Sequence, residues 1–201
     1  MSARTRRCRA DRGAALVELA FVLPLLCVLV FGTTELGLAW VGQNRVAGAV
    51  AHAARVGATV GGRVEADRDI LLTLQVSLPA DQLANLDRVV VYNAVDPSGA
   101  VPEACTKVAG SSSEVGTTTC NTYTGATVRA VSSDSMVGFT GTAGSKDGYW
   151  SPAIRKDALD DPPDYIGVWV RTSYDGLTGF AFSQSVITSN SVFRIQPDLY
   201  G

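Results

Sequence analysis

The chain has 201 residues, 46% of them hydrophobic, and a formal net charge of −2. That length suits one domain with its own core. The near-neutral total conceals an asymmetry: Arg4, Arg6, Arg7, Arg9 and Arg12 precede Gly13 with Asp11 as the single acid, leaving 12 basic and 18 acidic residues from Ala14 onward. A short basic head running straight into an apolar stretch reads as a positive-inside topology signal, and it is too short for a nucleic-acid arm. There is no CxxC motif or Cys/His cluster, and His52 is the one histidine, so zinc has no ligand set. Walker, GxGxxG, GxSxG and HExxH motifs are also absent. We therefore expect no catalytic residue, no metal, no cofactor and no nucleic-acid partner.

From Leu19 to Thr34 the sequence LAFVLPLLCVLVFGTT carries no charge; Glu35 interrupts, and Leu36 to Asn44 is again uncharged. About 20 mostly apolar residues are needed to cross the hydrocarbon of a bilayer. We assign 1–13 as a basic cytoplasmic leader and 14–41 as a transmembrane helix, with Pro24 as a local kink that membrane helices tolerate. Ala47, Ala51, Ala54 and Ala58 recur at helical spacing beyond it, with Arg45 and Arg55 between them. This predicts a helix extension over 42–60, stopped by Gly61-Gly62. Ala49, Ala53 and Gly57, four residues apart, allow close helix–helix approach, or belong to a helix that is simply Ala-rich.

Residues 61–201 form the extracytoplasmic domain. Asp67 to Leu78 reads as an amphipathic helix with Ile70, Leu71, Leu74 and Leu78 on one face, ended by Pro79. Arg88–Val95, Tyr165–Tyr174 and Ser185–Ile195 are β-branched, strand-like runs. Between them, 96–125 is rich in Ser, Thr, Gly and Pro and reads as a long loop, and 134–163 is weakly patterned. The fold class is α+β: a long N-terminal transmembrane helix extending into a small domain with an antiparallel sheet of about three strands.

The cysteines divide by compartment. Cys8 lies in the basic head and Cys27 in the apolar stretch; only Cys105 and Cys120 would share an oxidising compartment if the body is exported. Their disulfide would close a loop of about 15 residues, worth on the order of 3 kcal/mol. Asp157, Asp160, Asp161 and Asp164 cluster near Pro162-Pro163 without calcium-loop spacing, which favours a solvated loop. Trp150 could serve a binding face, whereas Trp169, in an alternating strand, reads as core.

The sharpest local signal is Gly13-Ala14-Ala15-Leu16-Val17-Glu18. A glutamate in an apolar run costs a few kcal/mol inside a bilayer unless it is paired or neutralised. A cut after Gly13 would create an α-amino group at Ala14, and a neighbouring subunit's amine could then offset Glu18. The alternative is that Glu18 sits at the headgroup boundary.

Basic residues, Gly13, four small or apolar residues, Glu18 and an apolar helix together resemble the class III signal of type IV prepilins. The wider string RGAALVELAFVLPLLCVLVFGTTELG is similar to the TadE-like pseudopilins of tight-adherence (Tad) pilus systems. Glu18, Pro24, Glu35 with Gly37, and the Ala-rich helix that follows carry the resemblance over about residues 12–58, and the ending at Pro197 adds to it weakly. The family often has an aromatic directly after the glutamate; here Leu19 stands there, with Phe21 two positions on. The resemblance implies cleavage between Gly13 and Ala14 by a membrane-bound prepilin peptidase. It implies a role for Glu18 in assembly or recognition, and Glu35 as a second membrane acid. The implied partners are sibling pseudopilins and the Tad machinery.

A conventional secretory signal peptide fits less well, because the small-residue triplet Ala47-Gly48-Ala49 lies too far beyond the apolar core. A lipoprotein signal at Cys27 has bulky Leu26 in front of it, and Arg6-Arg7 lacks the apolar residues of a twin-arginine signal. The remaining functional alternative is a membrane-tethered extracellular binding domain with no pilus role.

Overall fold

A single helix of 57 residues, α1 (Arg4–Val60), runs from the basic head to the domain and supplies one wall of the domain's core. The fold is known from a computed structural model that describes residues 4–94, 97–106, 119–157, 160, 162–176 and 185–196, with the side chains of 4–12 outside the description. Cys8, Asp161 and Pro197 therefore lie outside the described side chains.

Gly61 ends α1 and permits a close contact, since a Cβ there would stand 2.7 Å from Cγ2 of Ile195. The Gln196 amide then donates to the Ala58 carbonyl at 2.8 Å, tying the end of the last strand to the end of the helix. Next comes α2 (Ala66–Ser77), with Asp67 and Asp69 in its first turn, where the helix dipole favours acids. Leu78 caps α2 in extended conformation and Pro79 follows. Ile70, Leu71, Leu74 and Leu78 are all buried, as their helical spacing requires. A short α3 (Ala80–Ala84) leads into the sheet.

Among the described residues the sheet has four strands where about three were expected. They are β1 (Leu86–Ala94), β2 (Cys120–Thr124), β3 (Tyr165–Tyr174) and β4 (Ser185–Arg194). Their order is β2-β1-β3-β4, antiparallel throughout. The extra strand is β2, which lies inside the segment read as a loop over 96–125. That segment also holds α4 (Glu103–Thr106). Its run Cys-Asn-Thr-Tyr-Thr shows no apolar alternation because all of Cys120, Asn121, Thr122 and Tyr123 are buried. Burial on both faces removes the period-two signal, and polar side chains replace the usual Val/Ile run. Directly after β2 comes α5 (Gly125–Ala130), whose N-cap Thr124 accepts from the Thr127 amide.

Alternate residues of the strands serve two layers. Val89 and Val91 join Ile166, Val168 and Val170 beneath α1 and α2. Val90, Tyr92 and Ala94 face the other way, against Cys105 and Cys120, with Trp169 and Val192 packed alongside. Trp169 is thus a packing residue, and Trp150 is buried as well.

Candidate assembly segment and the domain that it carries

The side chains of 13–34 stand clear of the rest of the molecule. Gly13 has nothing within 4 Å of where a Cβ would be, and both Ala14 and Glu18 are exposed. Glu18 stands one helical turn beyond Ala14, about 6 Å along the axis. Twelve large apolar side chains from Leu16 to Phe31 are each at least 42% exposed. Leaving that surface in water forgoes on the order of 20 kcal/mol of burial, so this face requires an apolar surrounding. The helix over Gly13–Val60 is long and apolar enough to cross a membrane, and its most apolar window is 0% buried. Pro24 lies inside α1. Backbone polarity is contained locally further along: the Thr33 and Thr34 hydroxyls donate to the Leu29 and Val30 carbonyls at 2.8 Å. Cys27 is a free, exposed thiol in the same stretch.

Glu35 marks the change of environment. It is only 2% exposed and engaged within the fold, and the buried stripe of α1 starts with it. Gly42, Val46, Ala49, Val50, Ala53, Ala54 and Ala58 continue that stripe toward the end of the helix. At Gly42 a Cβ would come within 2.9 Å of the Gln82 side chain; at Gly57 it would meet Ile70 at 2.7 Å and Ile166 at 3.1 Å. The small residues Ala49, Ala53 and Gly57 thus serve close approach, and the surfaces that they admit are α2 and the sheet of the same chain.

Residues 13–55 match the family model described as TadE-like protein. The resemblance read from Gly13, Glu18, Pro24 and Glu35 therefore stands over this segment. No curated protein and no solved structure matches the chain. The matched segment comprises the exposed part of α1 and most of the part that the domain covers.

The domain's interior holds a polar cluster that no sequence motif announces. The Asp67 carboxylate receives Nη2 of Arg155 at 2.6 Å, Nδ2 of Asn121 at 2.7 Å and the Tyr123 hydroxyl at 2.5 Å. The side chains of Asp67 and Arg155 have no solvent exposure. The Arg155 guanidinium also lies over the Trp150 ring, 4.2 Å from its centroid, and donates to the Trp150 carbonyl at 3.1 Å. Asn121 closes the cluster by exchanging hydrogen bonds with the Trp150 backbone, at 2.8 and 2.9 Å. Burial, and then the Asp67 charge, push the Tyr123 hydroxyl well above its ordinary value of 10.0. Asp147 organises the adjoining turn, accepting from the Thr140 and Gly141 amides and from the Ser145 hydroxyl. The weakly patterned stretch 134–163 is thus held to α2 and β2 by polar contacts. It lacks apolar periodicity because its anchors are these hydrogen bonds together with the widely spaced core residues Phe139 and Trp150. The cluster is enclosed, and its hydrogen bonds hold these elements together.

The other residues singled out in the sequence occupy separate places. Cys105 and Cys120 form a disulfide with Cα atoms 6.5 Å apart, joining α4 to the start of β2. Asp164 accepts from Asn93 and from the Lys156 amide, and Asp160 accepts from the Asp157 amide, so these carboxylates cap turns. His52 pairs with the Ser77 hydroxyl at 3.3 Å between α1 and α2.

Proposed function

We propose that this chain is a pseudopilin or minor pilin in the biogenesis of a Tad-type adhesive pilus. The observation that carries the proposal is that the TadE-like segment, 13–55, contains the whole stretch of α1 over 13–34 that the domain leaves bare. In this reading α1 anchors the chain in the cell membrane as a single span, with the basic leader cytoplasmic and the domain extracytoplasmic. A prepilin peptidase cuts between Gly13 and Ala14. Because Gly13 lies inside a helix, the leader must unwind for a protease that binds its substrate extended; a glycine lowers that cost by about 1 kcal/mol relative to alanine. The new amine at Ala14 then stands one turn from Glu18 of its own chain and within reach of the same residue on a packed neighbour. Glu18 acts in recognition of sibling pseudopilins, and Pro24 loosens the helix between Glu18 and the domain. The Cys105–Cys120 disulfide, which favours an oxidising compartment, agrees with an exported domain.

The mature N-terminus tests the processing step. In cells with an active peptidase, N-terminal sequencing of the membrane form should begin at Ala14; a start at Met1 or Ser2 would count against cleavage. Glu18→Ala should leave insertion intact and reduce piliation, and unchanged piliation would remove the assigned role.

A further inference from the structure

We infer that the rim of the domain where β3 ends and β4 begins lies in the phospholipid headgroup layer of the bilayer that α1 crosses, and that the groove there is filled by phospholipid. This rests on the membrane reading of α1 given above.

The geometry of α1 carries the inference. Residues 13–34 span about 33 Å at 1.5 Å per residue, which uses up a hydrocarbon core of about 30 Å. Beyond Thr34 the helix is two-faced. Glu35 and Gly42 are buried under the domain, yet Leu36, Trp40 and Val41 remain 56%, 68% and 42% exposed on the outer side. Seven residues, 35–41, thus form a collar about 10 Å long with an apolar outer face and a domain on its inner face. The polar layer of a bilayer is roughly 5–8 Å thick on each side, so the collar occupies that layer. Tryptophan is enriched at this depth.

Covalent attachment fixes the depth of whatever packs beside the collar. Tyr174 and Ser185, the last pair of the β3–β4 ladder, are at that level. They line a groove with Leu36, Trp40, Gln43, Val186 and neighbouring residues, none of them charged. Val186 is 59% exposed at its edge. Two of the described carboxylates near this pole are engaged: Asp175 accepts from Asn85 at 3.1 Å, and Asp87 pairs with Arg171 at 3.6 Å. An uncharged groove with an apolar lip suits the glycerol and upper acyl region of a lipid, and it does not depend on anionic headgroups.

Nitroxide accessibility on the full chain tests this, in phosphatidylcholine vesicles and with Cys8→Ser and Cys27→Ser as background. Labels go at Leu26→Cys in the span, Val186→Cys at the rim and Val64→Cys beyond the far end of α1. The ratio of oxygen to nickel-chelate accessibility should be several-fold higher at position 186 than at 64, and lower than at 26. A ratio at 186 equal to that at 64, with 26 in lipid, would overturn the inference and leave the span standing. A water-like value at 26 would overturn both. Shielding of 186 from both reagents, with broadening that disappears on dilution by unlabelled chain, would place a second copy in the groove and overturn the lipid assignment.

Discussion

Arg155 spends its charge inside the domain, and its surroundings show why. Nη2 bridges Asp67 and the Trp150 carbonyl, while Nε and Nη1 have no hydrogen-bond partner among the described residues. Two ions removed from water are held by a few short bonds, so removing either ion strands the other. Arg155→Ala should therefore destabilise the domain by about 3–5 kcal/mol, read as a lower denaturation midpoint of the full chain in detergent. Tyr123 offers a separable test in pH. Its hydroxyl is raised in the folded state above the ordinary value of 10.0. Below pH 10 both folded and unfolded chains keep the proton, and its contribution to stability is fully present. Above that value only the unfolded chain loses the proton, so stability falls as pH rises toward the folded value. Tyr123→Phe should flatten that alkaline decline, measured as midpoint against pH between neutrality and strong alkali. None of this was legible in the sequence. Asp67 opens the predicted amphipathic helix, Arg155 lies in the weakly patterned stretch 134–163, and 88 residues separate them.

At the scale of elements, legibility followed apolar periodicity. The boundaries read for α2, β1, β3 and β4 fall close to those observed: α2, β1 and β3 bury a defined face or a continuous apolar run, and β4 is marked by its β-branched residues. β2 escaped because it is short, polar and buried from Cys120 to Tyr123, and it owes its position to β1 and the Asp67 cluster. The small-residue stripe of α1 was legible as a close-approach surface, but its occupant was not. Gly57→Val should test that occupant, since the added carbons would collide with Ile70 and Ile166. Overpacking of this kind costs about 1–3 kcal/mol, so thermal unfolding of the variant should shift down while membrane insertion remains. The disulfide staples α4 to β2 across a separation of 15 residues. Cys105→Ser should lower stability by roughly 3 kcal/mol in the loop-entropy model, and the parent chain should migrate differently with and without reductant.

For the whole molecule, the decisive feature is where the domain begins on its helix. The exposed stretch ends at Thr34, and Glu35 is the first residue of the buried stripe. Deleting residues 1–34 should therefore release the domain from the membrane fraction, whereas alkaline carbonate should not extract the full chain. The sequence by itself determined the long apolar helix, the TadE-like segment, the α+β class and most strands, because hydropathy and residue period are local quantities. Only the tertiary structure decided that Glu35 is covered by the domain and that Ala49, Ala53 and Gly57 face α2 and the sheet. It alone brought Asp67, Asn121, Tyr123 and Arg155 together. Each of those outcomes depends on which distant surface packs on a residue, and no local pattern encodes that choice.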